Sequence, residues 1–389
     1  MSRKIVTTDE VLASSADQRE NFELAINVSR LSDRLTGVAR YVRSILDCWA
    51  SEAPRGIDQI VMHSPRPVTD ANELRTPWMR FHEGKSSLPP LLWENTVLPA
   101  HARTANVLFA PSFTMPVLAP TPPTVLLVYD ALQALRPNDF GARGRVALPL
   151  MRASIRRADV LVTISEAAKS DIVEGFGVDP SQLHIVPGGI DSRFKSIDEF
   201  DSERLRRALG LGTNPYLVFV GKLSTRRNIP ALISAAGILR ARGFPHTLVL
   251  AGYNTTGLPI AALAADAEAE VVHVEGISDD LLVELYNGAD VFVQAPDHES
   301  FSLPLLEAMA CGTPTITSDG PGMREIGGQA PIYVDENTPQ AIASAVESLL
   351  ANDERRVAAI DNGLVHVRSF GWNDSAARLA ELCVIASQR

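Results

Sequence analysis

The sequence predicts an α/β protein made of two doubly wound, Rossmann-like parallel-sheet domains facing a central cleft. Three observations carry this. Aliphatic or β-branched runs of four to six residues alternate with segments of helical periodicity. Each run closes on Gly, Pro, Ser or Asp, the punctuation of a buried parallel strand. The alternation stops once, at a charged stretch, and then restarts.

The elements follow in order. Residues 1–21 are polar and read as a leader without the apolar core of a signal peptide. Strands are expected at 22–28, 58–64, 106–111, 124–130, 158–165 and 183–189, with helices at 38–50, 141–157 and 166–175. Helix 38–50 places Val38, Tyr41, Val42 and Ile45 on one face. This makes a first domain over 22–195. The charged stretch 191–215 has no strand signal, and a linker with a short helix is expected over 196–214. A second domain spans 215–368. Its strands are at 216–220, 247–252, 271–276, 291–296, 313–319 and 332–335. Its helices are at 229–242, 258–267, 279–287, 303–311 and 338–352. A last helix, 373–386, lies in a segment 369–389 expected to cross back to the first domain.

Length and composition bound the function. A chain of 389 residues allows two or three domains, and 46% hydrophobic with 21% charged residues is an ordinary globular balance. The formal net charge of −10 disfavours nucleic acid as a partner. Cys48, Cys311 and Cys383 are far apart and odd in number, so neither a disulfide framework nor a metal spacing is predicted, which fits the cytoplasm. The most apolar stretch, 116–128, is too short and Pro-rich to span a bilayer.

In open α/β sheets ligands sit beyond the carboxyl ends of the strands. The loop GKLSTRRN after strand 216–220 groups Gly221, Lys222, Arg226 and Arg227 before a helix with Asn228 as its expected cap. Such a loop is an anion site or a solvated basic turn. After strand 291–296 comes HESFSLPLLEAMACGTP, with Ser302 placed to cap a helix and Pro304 in its first turn. The amides of Phe301, Ser302 and Leu303 would then be open to a phosphate. Glu299 lies in the loop and Glu307 one turn inside the helix, where each suits sugar hydroxyls or is a plain surface or helix-end charge. Ile277, in GISDD, is placed to put its backbone by a nucleobase. Thr36-Gly37 ends the first loop as a close-approach site or a turn. Tyr129-Asp130 ends strand 124–130, at the cleft floor or as a structural pair. No GxGxxG, GxxxxGK[ST], HExxH or strand-end Asp-x-Asp is seen, which disfavours nicotinamide, P-loop, zinc-hydrolase and divalent-metal sugar-transfer chemistry.

Taken together, TGVARYV (36–42), ADVLVTISEAAKSDI, VPGGIDSRF (186–194), FVGKLSTRRN (219–228) and HESFSLPLLEAMACGTPTITSD (298–319) resemble the retaining GT-B-fold glycosyltransferases of family 4. The likeness is greatest to bacterial mannosyltransferases of surface polysaccharide synthesis, and it covers nearly the whole chain from residue 22. It implies that Glu299 contacts the donor sugar and Glu307 the ribose. It implies that Phe301, Ser302 and Leu303 bind the diphosphate through their amides, and that Lys222 and Arg227 neutralise it. Gly37, Gly221, Ile277 and Ser300 are implied in donor binding, Asp130 in catalysis, and Tyr129 and His298 as sugar contacts. Three departures stand out. The two cations are Lys then Arg where the family has Arg then Lys; Ser300 and Ser302 replace glycines; and Tyr129 stands where relatives carry His.

The resemblance implies metal-independent transfer of a hexose, mannose before others, from a nucleotide diphosphate sugar, GDP-mannose before UDP-sugars. No cofactor is expected, and the acceptor is a saccharide or lipid-linked saccharide. The segment 141–157, with five arginines among apolar residues, is a basic amphipathic face for the inner membrane surface or a packed helix with a solvated side. The rival readings are a non-catalytic nucleotide-sugar-binding protein and a phosphorylase of the same fold.

Overall fold

The structure, a computed structural model, describes residues 21–32, 37–68 and 71–389. The leader, residue 21 apart, and Thr36 lie outside the described residues.

The first domain contains β1 (Glu23–Asn27), β2 (Gln59–Ser64), β3 (Met79–Glu83), β4 (Val107–Ala110), β5 (Thr124–Leu127), β6 (Val160–Thr163) and β7 (Leu183–Ile185). They form one parallel sheet in the order β3-β2-β1-β4-β5-β6-β7. The second domain contains β8 (Tyr216–Val220), β9 (Thr247–Ala251), β10 (Val271–Val274), β11 (Val291–Val293), β12 (Thr315–Ser318) and β13 (Ile332–Val334). These form a parallel sheet in the order β10-β9-β8-β11-β12-β13. The strands β4, β5, β6, β9, β11 and β12 are buried at every position; all but β12, which is Thr-Ile-Thr-Ser, read as largely aliphatic runs.

Helices cover both faces. Helix Gly37–Ser51 buries Tyr41, Val42, Ile45, Leu46 and Trp49 on the first sheet. The stretch 191–215 holds helix Ser202–Leu209, capped by Asp201 and buried through Leu205 and Leu209 in the second domain's core. The last helix, Trp372–Ala386, packs Leu379, Leu382 and Cys383 into the first domain's core. Trp49 Nε1 donates to the carbonyl of Ala376 at 3.2 Å.

Elements absent from the sequence prediction are mostly amphipathic or polar. Edge strand β3 exposes Arg80, His82 and Glu83. Helix Asp353–His366 buries only Ala359 and Gly363. Helices Pro90–Thr96, Leu98–Ala102, Leu132–Leu135 and Pro321–Gly327 are short.

Helix Gly141–Arg157 buries Met151, Ser154 and Ile155 against the first domain, while Arg152, Arg156 and Arg157 are exposed. Arg157 donates to the carbonyls of Val117 and Ala119. Among the described residues no helix is long and apolar enough to cross a membrane.

Candidate active site

Between the two sheets, one helix start is left open. Helix Leu303–Ala310 follows Ser302, whose extended backbone and side-chain oxygen, accepting from the Leu305 amide at 3.3 Å, close the first turn. Pro304 lacks an N–H. The amides of Phe301, Ser302 and Leu303 have no acceptor among the described residues. Free amides at a helix N-terminus attract an anion. Neither Ser300 nor Ser302 has a positive φ, so a side chain is accommodated where relatives carry glycine.

The loop after β8 folds onto this helix start. Gly221 has φ +139°, and the Arg227 guanidinium lies where a β-carbon at Gly221 would go. The Asp297 amide donates to the Arg226 carbonyl at 3.0 Å, and Arg226 Nη1 donates to the His298 carbonyl at 2.7 Å. Glu299 Oε2 lies 3.2 Å from Arg227 Nη2 and 3.7 Å from Arg226 Nη1. Lys222 is exposed and has no carboxylate partner among the described residues. Partial burial and the charges of Arg227 and Arg226 hold its pKa below the usual lysine range. Arg226 and Arg227 therefore meet Glu299, Lys222 stands near both arginines, and three open amides follow Glu299 along the chain. Asn228 stands at the start of helix Ile229–Ala241 but does not cap it; its side chain donates to the Asn337 carbonyl at 2.8 Å.

The first domain supplies the opposite wall. Asp130 accepts from the Leu132 amide at 2.9 Å. Burial, reinforced by the charge of Glu299 and opposed by that amide and Arg226, pushes its carboxyl up to about 6. Asp171 accepts from His298 Nε2 and Ser300 Oγ, each at 2.8 Å, and Ser165 Oγ donates to the Ser300 carbonyl at 2.7 Å. The bond to Asp171 raises the pKa of His298. Glu325, from the second domain, accepts the amides of Glu166 and Ala167 at 2.8 and 2.9 Å and so caps helix Glu166–Phe176 across the gap. Gly188 lets its loop press on Phe301; a β-carbon there would strike the ring.

Glu307 sits deeper. It is buried and accepts from Tyr286 Oη at 2.9 Å and from Arg40 Nη1 at 2.7 Å. Arg40 also reaches Asp279 at 2.8 Å, and Arg193 meets the other oxygen of Asp279. Burial pushes the Glu307 carboxyl up, with Arg40 and Tyr286 pulling it back. A small hollow beside this pair is lined by Arg40, Phe194, Asp279, Leu303, Glu307 and Trp372.

Two expected sugar contacts have polar atoms already engaged. Tyr129 is buried against Tyr41 and Phe113, and its hydroxyl donates to the Pro111 carbonyl at 3.0 Å, so it offers no hydroxyl to a ligand. His298 has Nε2 tied to Asp171. A β-carbon at Gly37 would meet open space, so packing does not require glycine there. Ile277 is partly buried on the second core, its amide without an acceptor among the described residues. Sequence reasoning assigned no role to Arg40, Asp171, Asp279 or Glu325. The first two lay inside the motifs TGVARYV and ISEAAKSDI, and their partners are 127 to 267 residues away.

Comparison with known proteins identifies the family and the fold. The family model described as "Glycosyltransferase Family 4" matches residues 35–194, and "Glycosyl transferases group 1" matches 201–365. The chain is 30% identical over 246 residues to a D-inositol 3-phosphate glycosyltransferase of Corynebacterium urealyticum. It is 32% identical over 252 residues to a GDP-mannose-dependent alpha-(1-6)-phosphatidylinositol monomannoside mannosyltransferase of Mycolicibacterium smegmatis. These matches span 59% and 60% of this chain, and 57% and 65% of the two relatives. Among solved structures, Anabaena Alr3699/HepE in complex with UDP-glucose superposes with TM-score 0.73 at 16% identity, covering 94% of this chain and 100% of that one. WaaG, a glycosyltransferase involved in lipopolysaccharide biosynthesis, gives 0.72 at 17%, covering 92% and 99%.

Proposed function

Because the chain belongs to glycosyltransferase family 4 and has its GT-B fold, we propose that its cleft transfers a hexose from a nucleotide diphosphate sugar to an acceptor hydroxyl, with the anomeric configuration kept. The observation that carries this reading is the meeting of Arg226 and Arg227, with Lys222 near them, and Glu299, beside the open amides of Phe301, Ser302 and Leu303.

In such a transfer the sugar carbon becomes cationic while the departing diphosphate gathers negative charge. Fixed donors aimed at that charge lower the barrier, and one such group is worth about 3 kcal/mol, or about a hundredfold in rate. Lys222 and the arginines supply charge, and the helix start supplies amides. Glu299 holds the arginines until the sugar's hydroxyls share it. Glu307 accepts from the ribose hydroxyls, with Arg40 giving way. Asp130 faces the acceptor from the first domain, and the leaving phosphate oxygen takes the acceptor's proton. No metal or cofactor takes part in this scheme.

Mannose is the preferred sugar and GDP-mannose the preferred donor, supported by the names of the Mycolicibacterium relative and of an O-antigen chain mannosyltransferase B of Escherichia coli, 25% identical over 228 residues. The acceptor is a saccharide or lipid-linked saccharide. The exposed Arg152, Arg156 and Arg157 suit contact with an anionic membrane surface inside the cell.

A transfer assay on Arg227→Ala and Glu299→Ala tests the reading. Both fall at least about thirtyfold; wild-type transfer in both sinks it. Melting shifts with GDP, UDP and ADP identify the base. Protection by a nucleotide with no nucleotide released in the presence of any acceptor would instead favour the non-catalytic binder.

A further inference from the structure

We propose that His63, His82 and His101 form a binding site for a divalent first-row transition ion of the zinc type, separate from the cleft described above. The proposal does not depend on the transferase reading.

The topology explains why three residues so far apart in sequence meet. β2 and β3 are parallel neighbours whose register sets His63 directly opposite His82, so both project from one face of the sheet. Helix Leu98–Ala102 covers that face through the cluster of Ala25, Trp93, Leu98, Ala102, Ala105 and Leu108, and it carries His101. A ligand atom from each of the three imidazoles lies within 4.8 Å of the others. The ring centroids of His63 are 5.5 Å from His82 and 6.1 Å from His101, and His82 and His101 are 4.2 Å apart.

The decisive feature is what these rings lack. His63 is 2% exposed, yet among the described residues neither ring nitrogen has a hydrogen-bond partner, and His101 Nδ1 is also without one. Buried polar groups in folded proteins are almost always partnered. A bound ion would supply the missing partner. Burial, with the neighbouring His82, His101 and Arg80, also keeps the His63 imidazole neutral, its pKa lowered to about 3. Arg80, the cation facing the trio, is itself paired with Glu23 at 2.7 Å.

Three imidazoles and no cysteine or carboxylate suit zinc, with copper or nickel as chemical relatives. Nitrogens about 2.1 Å from an ion lie roughly 3.4 Å from each other, so the outer rings must close in by about 1 Å. Exposed His82 and partly exposed His101 have room to turn, and His63 is the fixed anchor. A fourth position stays open to water. Such an ion would pin the edge strand β3 and helix Leu98–Ala102 to β2. In the sequence the three histidines are spaced 19 apart and form no ligand signature.

The test uses the untagged full chain, stripped with chelator and dialysed against Zn²⁺, Co²⁺ or Mg²⁺. One Zn²⁺ per chain should be retained, with Co²⁺ giving the visible absorption of a four-coordinate site. The melting temperature should rise by several degrees with Zn²⁺ and not with Mg²⁺. His82→Gln and His101→Gln lie at the surface side and should melt with the stripped wild type while losing the ion at least about tenfold in affinity. Substoichiometric zinc in the wild type, or equal retention in both variants, overturns the site and leaves three stacked imidazoles.

Discussion

Arg40 Nη1 donates to Glu307 Oε1 across 2.7 Å, so a first-domain guanidinium occupies the second-domain carboxylate assigned to the ribose. Arg40 is partly exposed, and Glu307 is buried. Removing one partner of a buried pair strands the other. Arg40→Ala should therefore lower the melting temperature of the ligand-free protein. It should also enlarge the shift produced by saturating GDP, because ribose hydroxyls then meet an unpaired carboxylate. Equal nucleotide shifts in variant and wild type would remove Glu307 from the ribose site.

Gly221 and Arg227 act as one unit. A β-carbon at Gly221 displaces the guanidinium and strains a backbone at φ +139°. Gly221→Ala should reduce transfer toward the level of Arg227→Ala, and the double variant should be no slower than the worse single one. Additive losses would mean that the glycine serves something other than Arg227.

Asp130 should set the acid limb of the rate profile. Its carboxyl, raised to about 6, takes up a proton as pH falls through that value, and transfer should fall with it. Asp130→Asn should flatten that limb and cost about tenfold or more above it. An unchanged limb in Asp130→Asn would assign the titration to another group.

Glu94 predicts a pH-dependent stability unrelated to catalysis. It is 4% exposed; Oε2 accepts from Asn27 Nδ2 at 3.0 Å, and Oε1 has no partner among the described residues. Burial raises its carboxyl to about 7, against hydrogen bonds from Thr114 and Asn27. The unfolded chain therefore releases this proton first. Stability is lost as pH rises from about 4.5 to about 7, by on the order of 3 kcal/mol, and then levels off. Glu94→Gln should melt higher than wild type at about pH 8 and close to it at about pH 4.5. Calorimetry across that range decides, and a variant less stable at both ends refutes the assignment.

The sequence displayed what lies close along the chain or repeats. Strands buried on both faces announce themselves as aliphatic runs, whereas β3 at the sheet edge mixes Met79 with Arg80, His82 and Glu83 and does not. Helix Asp353–His366 has too narrow a buried stripe to show a period. Glu299, Ser302, Glu307 and Arg227 sit within short motifs and were legible. Arg40 with Glu307, Asp171 with His298, and Glu325 with Glu166 are contacts between domains, which no local pattern encodes. The strand end left Tyr129 open as cleft floor or structural residue, and only the resemblance made it a sugar contact. Its ring lies against Tyr41 and Phe113 and its hydroxyl donates to the Pro111 carbonyl.

Helix Trp372–Ala386 fills the first domain's core with residues that leave the ribosome long after that domain's sheet. At about 5–20 residues per second, Leu379 and Cys383 emerge roughly 10–40 s after Val186, their neighbour in that core. Until then the first half waits with a greasy groove where the helix will dock. The order of synthesis is thus not the order of completion: the first domain closes only after the second has been made.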